Sequence, residues 1–224
     1  MKVSILITII TSTIFMSCDS NKDKTNVPPL HHYVHWHKRV IKFIEEKDSI
    51  KTGSYIFLGN SITEGFNLQQ HFPNVNTVNR GISSDHIDGV SQRLNLSIKG
   101  AKSAKLFILM GINDIGAGRS KKTIKALYSN MVDSIVKNYN YDVYLQSILP
   151  TSPRWANCPP NLIKNINEFI KDLATDKGLT YVDLYPLFQQ GNTNFIKGEL
   201  VTDGLHLNEE GYRIWSDYLK SVIK

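Results

Sequence analysis

A parallel β-sheet covered by helices on both sides, in a single α/β domain, is the fold class that the sequence predicts. Three observations point there. Five short strand candidates recur along the chain, stretches with helical spacing separate them, and the chemistry-bearing motifs fall just past their ends. Strand and helix alternating five times argue for right-handed crossovers and parallel pairing. In such sheets ligands bind beyond the carboxyl ends of the strands.

The strands are expected at Ser54–Leu58, Val75–Asn79, Lys105–Met110, Asp142–Ile148 and Thr180–Asp183. Between them, Ile124, Leu127, Met131 and Ile135 share one helical face, as do Ile163, Ile166, Ile170 and Leu173. Gly178 follows the second of these as a C-terminal stop. An N-terminal helix is expected to bury Val40, Ile41, Phe43 and Ile44. It is led by His31, His32, His35 and His37, with His31 and His35 one turn apart, a spacing that also suits a metal. No cysteine or acidic residue completes a local site, so the cluster reads as the start of the helix and no metal is expected. His71 and His86 read as surface or loop residues.

The first residues carry a different signal. Met1-Lys2 precedes the apolar stretch Val3 to Met16, then Ser17-Cys18. A charged start, a short apolar run and a small residue before a cysteine describe a secretory signal. The run is shorter than the roughly 20 residues of a spanning helix. Ser17-Cys18 resembles the end of a bacterial lipobox, with Phe15-Met16 departing from the aliphatic residue usual there. The expectation is a signal at 1–17, a lipidated Cys18, a polar tether at 18–29 and a domain at 30–224. The alternative is an ordinary cleaved signal. Either places the protein outside the cytosol, as a lipoprotein at the periplasm or cell surface in the first case, touching the membrane only through its lipid. With Cys18 lipidated, Cys158 stands alone and no disulfide is expected.

A chain of 224 residues, 41% hydrophobic and 21% charged, can bury one sizeable core. The net charge of +6 is spread along the chain with no dense basic tract interleaved with aromatics, which speaks against nucleic-acid binding.

Chemistry concentrates in four blocks. Gly59-Asn60-Ser61 follows the first strand, Asn79-Arg80-Gly81-Ile82-Ser83 the second and Gly111-Ile112-Asn113-Asp114 the third, while Asp203-Gly204-Leu205-His206 precedes the last helix. A serine hydroxyl needs a base to take its proton, and the base needs a carboxylate to fix its tautomer. Ser61, His206 and Asp203 supply these parts. The oxyanion formed on attack needs preorganised donors. Gly81 N–H, the Asn113 amide and Ser61 N–H are the candidates. Singly, each block reads as a turn or cap; together they serve one step. Position 63 lacks the glycine of the α/β-hydrolase elbow.

These blocks resemble the SGNH hydrolases, or GDSL-like esterases/lipases, whose Ser, Gly, Asn and His appear as Ser61, Gly81, Asn113 and His206. The resemblance runs from about Ser54 to Ile223. It implies a three-layer α/β/α flavodoxin-like fold, a five-stranded parallel sheet and hydrolysis through an acyl-enzyme without a cofactor, with Asp203 orienting His206. The usual Gly-Asp-Ser has become Gly-Asn-Ser at Asn60, which puts the pH optimum in doubt but touches no triad member.

No long apolar insertion could form a lid or acyl tunnel, which favours a short acyl group. The loop Thr151–Asn157 is expected to overhang the site, with Arg154 holding an acidic or hydroxyl-rich group and Trp155 either stacking on a sugar or packing beneath the loop. The relatives implied include carbohydrate acetylesterases, so O-acetyl groups on glycans are the expected substrate. A lysophospholipase or thioesterase on the same scaffold, or a glycan-binding lipoprotein without turnover, are the alternatives.

Overall fold

The computed structural model describes residues 30–223. The expected signal, Cys18 and tether lie outside the described residues, as do the side chains of His31 and His32. The elements are α1 (Leu30–Glu45), β1 (Tyr55–Gly59), α2 (Ser61–Glu64), α3 (Leu68–His71), β2 (Thr77–Gly81), α4 (Ile87–Ile98), β3 (Lys105–Leu109), α5 (Ile112–Gly116), α6 (Lys121–Asn138), β4 (Asp142–Gln146), α7 (Pro160–Lys177), β5 (Thr180–Val182), α8 (Tyr185–Phe188) and α9 (Glu209–Val222). All five strands pair in parallel, in the order β2-β1-β3-β4-β5. Each expected strand is present, its ends displaced by at most two residues.

Helices cover both faces of the sheet, so the inner strands β1, β3 and β4 are buried and largely apolar, while the edge strand β2 carries Asn79 and Arg80. On one side, α1, α4, α6 and α7 lie side by side. Ile124, Met131 and Ile135 of α6 and Ile163, Ile166 and Ile170 of α7 are fully buried or nearly so, and Gly178 ends α7 in the left-handed conformation. On the other side, α9 packs an aromatic cluster: Trp215 stacks on Phe66, which stacks on Tyr212, and Trp215 donates its N–H to Gln146 Oε1. Tyr212 reaches over to donate to the Ile62 carbonyl at 2.8 Å, tying α9 to α2.

The N-terminal helix differs from its expected burial. Val40 and Phe43 are buried, but Ile41 and Ile44 are 55% and 46% exposed. The inward face is completed instead by Trp36 and Arg39, which find polar partners there. Phe43 packs with Val40 and Ile82, and three guanidinium carbons, of Arg39, Arg80 and Arg93, stand 4.7–5.5 Å from its ring centroid. Each arginine has its own carboxylate, in Glu64, Glu46 and Asp85. The aromatic ring fills the space among three neutralised cations, a favourable cation–π setting. Phe43→Ala should lower stability by about 3–5 kcal/mol in chemical denaturation, and Phe43→Leu, which restores volume but not the ring face, should fall between.

Candidate active site

The order 2-1-3-4-5 reverses direction at β1, so the crevice between the ends of β1 and β3 is where a ligand fits. Ser61 lies past the first of these strands and Asn113 past the second. Asn60 follows β1 and caps α2, its Oδ1 accepting from Ile62 N–H at 3.0 Å. Ser61 is therefore the first residue of a short helix. Gly59 has to be glycine, since a Cβ there would meet Thr63 Oγ1 and the Leu109 carbonyl within 3 Å.

The other half of the site arrives from the far end of the chain. Val201 and Leu207 bridge antiparallel and Thr202 N–H donates to the His206 carbonyl, closing a small loop. Within it, Asp203 Oδ1 accepts from Leu205 N–H at 3.0 Å and His206 N–H at 2.9 Å. Its Oδ2 lies 2.8 Å from His206 Nδ1, and His206 Nε2 lies 2.9 Å from Ser61 Oγ. With Nδ1–H donated to the carboxylate, Nε2 is left to accept the Ser61 hydroxyl proton. Partial burial raises the Asp203 pKa, but the His206 backbone and ring and the Leu205 N–H outweigh it and hold the carboxyl below its ordinary range.

The loop after β4 braces this turn. Trp155 Nε1 donates to the Asp203 carbonyl at 3.1 Å, its ring meets His206 edge-on, and Ser152 N–H donates to the Gly204 carbonyl. The polar edge of Trp155 is thereby engaged, and the side chain is half-buried. Arg154 is exposed on the same loop. Cys158 is buried, and burial pushes its thiol up, away from nucleophilic chemistry.

On the donor side, Asn113 stands in the first turn of α5. One amide hydrogen goes to the Asp85 carbonyl at 2.9 Å and the other is left available. Ser61 N–H has no partner among the described residues. Gly81 differs from expectation as a donor. Its N–H is taken by Asn79 Oδ1 at 2.9 Å, and its carbonyl accepts from Arg39. Its glycine is required by packing, because a Cβ would come within 2.2 Å of the Glu64 backbone nitrogen.

Ser84 stands one residue past the Asn79–Ser83 block. It is the only non-glycine residue with positive φ among the described residues, at 62°, and its N–H is without a partner there. The loop that presents it is suspended between the nucleophile and Asn113. Ile82 N–H bonds the Gly59 carbonyl, Ser83 bonds Glu64 of α2, and the Asp85 carbonyl receives Asn113. Asp85 itself is 4% exposed and paired with the fully buried Arg93 at 2.7 Å. Burial pushes the Asp85 carboxyl up while Arg93 opposes it. No glycine marks the strained position, so the only sequence signal was the turn-forming Ser-Ser-Asp run before α4.

His71 ends α3 against Ser216, and His86 caps α4 half-buried. Among the described residues no group of three His, Cys, Asp or Glu side chains converges as a metal site. Burial raises the pKa of Asp114, which follows Asn113, to about 7, against the pull of Arg119.

A family model described as the GDSL-like Lipase/Acylhydrolase family matches residues 57–214. No curated protein sequence matches the chain. Among solved structures, a Streptococcus pneumonia protein provisionally described as a platelet activating factor is 26% identical, with a TM-score of 0.80 over 86% of this chain and 94% of that one. A GDSL-like lipase from Bacteroides thetaiotaomicron is 21% identical, with a TM-score of 0.68 over 84% and 97% of the two chains. An acetylxylan esterase from Geobacillus stearothermophilus is 16% identical, with a TM-score of 0.61 over 77% and 95%. The last two likenesses concern the fold.

Since left-handed backbone costs a side-chain-bearing residue about 1–2 kcal/mol, Ser84→Gly should keep full activity and be neutral to stabilising. Glycine's greater unfolded-state entropy limits the gain to about 1 kcal/mol in a denaturant titration.

Proposed function

Because the chain belongs to the GDSL-like lipase/acylhydrolase family, we propose that it hydrolyses short-chain acyl esters, O-acetyl groups on carbohydrates foremost, through an acyl-enzyme on Ser61. The observation that carries this reading is the unbroken chain of contacts from Asp203 through His206 to Ser61 Oγ, at 2.8 and 2.9 Å. His206 Nε2 takes the Ser61 proton as Oγ bonds to the ester carbonyl carbon, and Asp203 stabilises the imidazolium. The carbonyl oxygen becomes an oxyanion held by Ser61 N–H, Ser84 N–H and the free Asn113 amide hydrogen. Collapse breaks the bond to the alcohol oxygen, which leaves with the proton from His206. Water then gives its proton to the same nitrogen, attacks the acyl carbon and releases the acid, restoring Ser61.

A small acyl group is favoured because the loop Thr151–Asn157 is short and pinned to the Asp203 turn by Ser152 and Trp155. The exposed Arg154 on that loop suits a hydroxyl-rich or acidic substrate. Export and anchoring through Cys18 complete the proposal, supported by the Met1–Cys18 pattern, and they put the enzyme where extracytoplasmic glycans are found.

Hydrolysis of p-nitrophenyl esters from acetate to palmitate, followed by acetylated xylan, tests the reading. Acetate should be turned over fastest, and Ser61→Ala or His206→Ala should abolish the activity. Asn113→Ala should reduce kcat on the order of 100-fold. Preference for palmitate would contradict the substrate class and favour a lysophospholipase or thioesterase. Undiminished turnover in Ser61→Ala would contradict the mechanism.

A further inference from the structure

Glu64 closes the nucleophile helix three residues after Ser61, half-buried, and several segments meet at its carboxylate. Oε2 accepts from both the backbone N–H and the hydroxyl of Ser83, the latter at 2.7 Å. Oε1 faces His35 Nε2 at 2.9 Å and Arg39 Nε at 3.3 Å, both on α1. The backbone beside it is held too, since Asn79 Nδ2 donates to the Thr63 carbonyl at 2.7 Å. Arg39 continues to the Gly81 carbonyl at 2.9 Å, and Trp36, on the same helix, donates to Asp85 Oδ1 at 3.1 Å. The loop Ile82–Asp85 is therefore gripped at Ser83 by Glu64 and at Asp85 by Trp36 and Arg93. Ser84, between the two grips, is in the left-handed conformation.

A lone half-buried carboxylate is costly, and burial raises the pKa of Glu64. Hydrogen bonds from Ser83 and His35, with the Arg39 charge, outweigh that and hold it below its ordinary range. The ion persists because three residues, Ser83 from the loop after β2 and His35 and Arg39 from α1, converge on it. Nothing in the ester chemistry itself calls for a carboxylate there.

We infer that Glu64 is a positioning residue: by gripping Ser83 it fixes the Ser84 N–H against the nucleophile helix, and through His35 and Arg39 it makes α1 part of the active-site frame. The inference rests on the oxyanion pocket described under Proposed function. A donor a fraction of an ångström out of place loses much of its effect on a developing charge. Releasing Ser83 frees Ser84 to leave its strained conformation, so the loss should appear in the chemical step more than in substrate binding.

A double-mutant cycle in the full-length protein tests this with p-nitrophenyl acetate. Glu64→Ala should lower kcat by about 10- to 100-fold, with KM changed by less than about threefold. Glu64→Gln keeps an acceptor for Ser83 N–H and should lose only about 3- to 10-fold. Combined with Asn113→Ala, the Glu64→Ala change should cost no more than about threefold further, because both act through one pocket. Wild-type kcat in either Glu64 variant, or losses that multiply in the double variant, would overturn the inference. If Glu64→Ala lacks folded circular dichroism, the same cycle with Glu64→Gln decides. Absence of Ser61-dependent hydrolysis in the wild type would instead sink the proposed function on which the inference rests.

Discussion

The buried ion pair between Asp85 and Arg93 is the constraint on which the rest of the site depends. Arg93 Nε meets Asp85 Oδ2 at 2.7 Å, and its second terminal nitrogen donates to the Gly59 carbonyl at the end of β1. Asp85 also accepts from Trp36 and from His86 N–H, and its carbonyl receives Asn113. One pair thus joins the nucleophile strand, the loop after β2, the start of α4, α1 and α5. Burial penalises both charges, lowering the pKa of Arg93 and raising that of Asp85. Such a pair adds little net stability against an apolar alternative, yet loss of one partner strands the other charge. Its value here lies in fixing geometry, which preorganised donors require.

The two halves of the site are stiffened by different means. The donor half grows from the ends of β1, β2 and β3 and inherits the rigidity of the sheet. The acid–base half stands on an irregular loop ahead of α9. There, backbone N–H groups aimed at Asp203, a two-residue bridge and the Trp155 contact replace strand pairing. The Tyr212 hydroxyl on the Ile62 carbonyl binds the halves together, so α9 holds the His206 loop against α2, which carries Ser61.

The sheet was legible because its inner strands β1, β3 and β4 are largely apolar segments bounded by turn residues, a pattern set by burial on both faces. Ser61, Asn113, Asp203 and His206 were legible because each sits at a strand end or cap where local chemistry is visible; Asp203, His206 and Ser61 are in hydrogen-bond contact, and Asn113 lies past the neighbouring strand β3. Gly81 was misread: a glycine at a strand end invites a backbone donor, but here it serves the close passage of β2 beneath α2. Ser84 was invisible because its left-handed backbone is imposed by bonds to residues distant in sequence. Burial in α1 was misassigned for a related reason. Hydropathy ranks Ile41 and Ile44 above Arg39, yet Arg39 faces inward because Glu64 and the Gly81 carbonyl await it. Buried Arg80 and Arg93 share that character; their partners are 34 and 8 residues away and no local pattern announces them.

Under the proposed mechanism Ser61 is the one activated nucleophile among the serines of the described residues, because His206 and Asp203 stand in line behind it. Labelling of the whole protein by a fluorophosphonate, followed by mass spectrometric mapping of the modified peptide, tests this most directly. One phosphonylated residue, Ser61, is expected, with labelling suppressed when His206 is replaced by alanine. Labelling at a different serine, or none at Ser61 in the folded wild type, would contradict it.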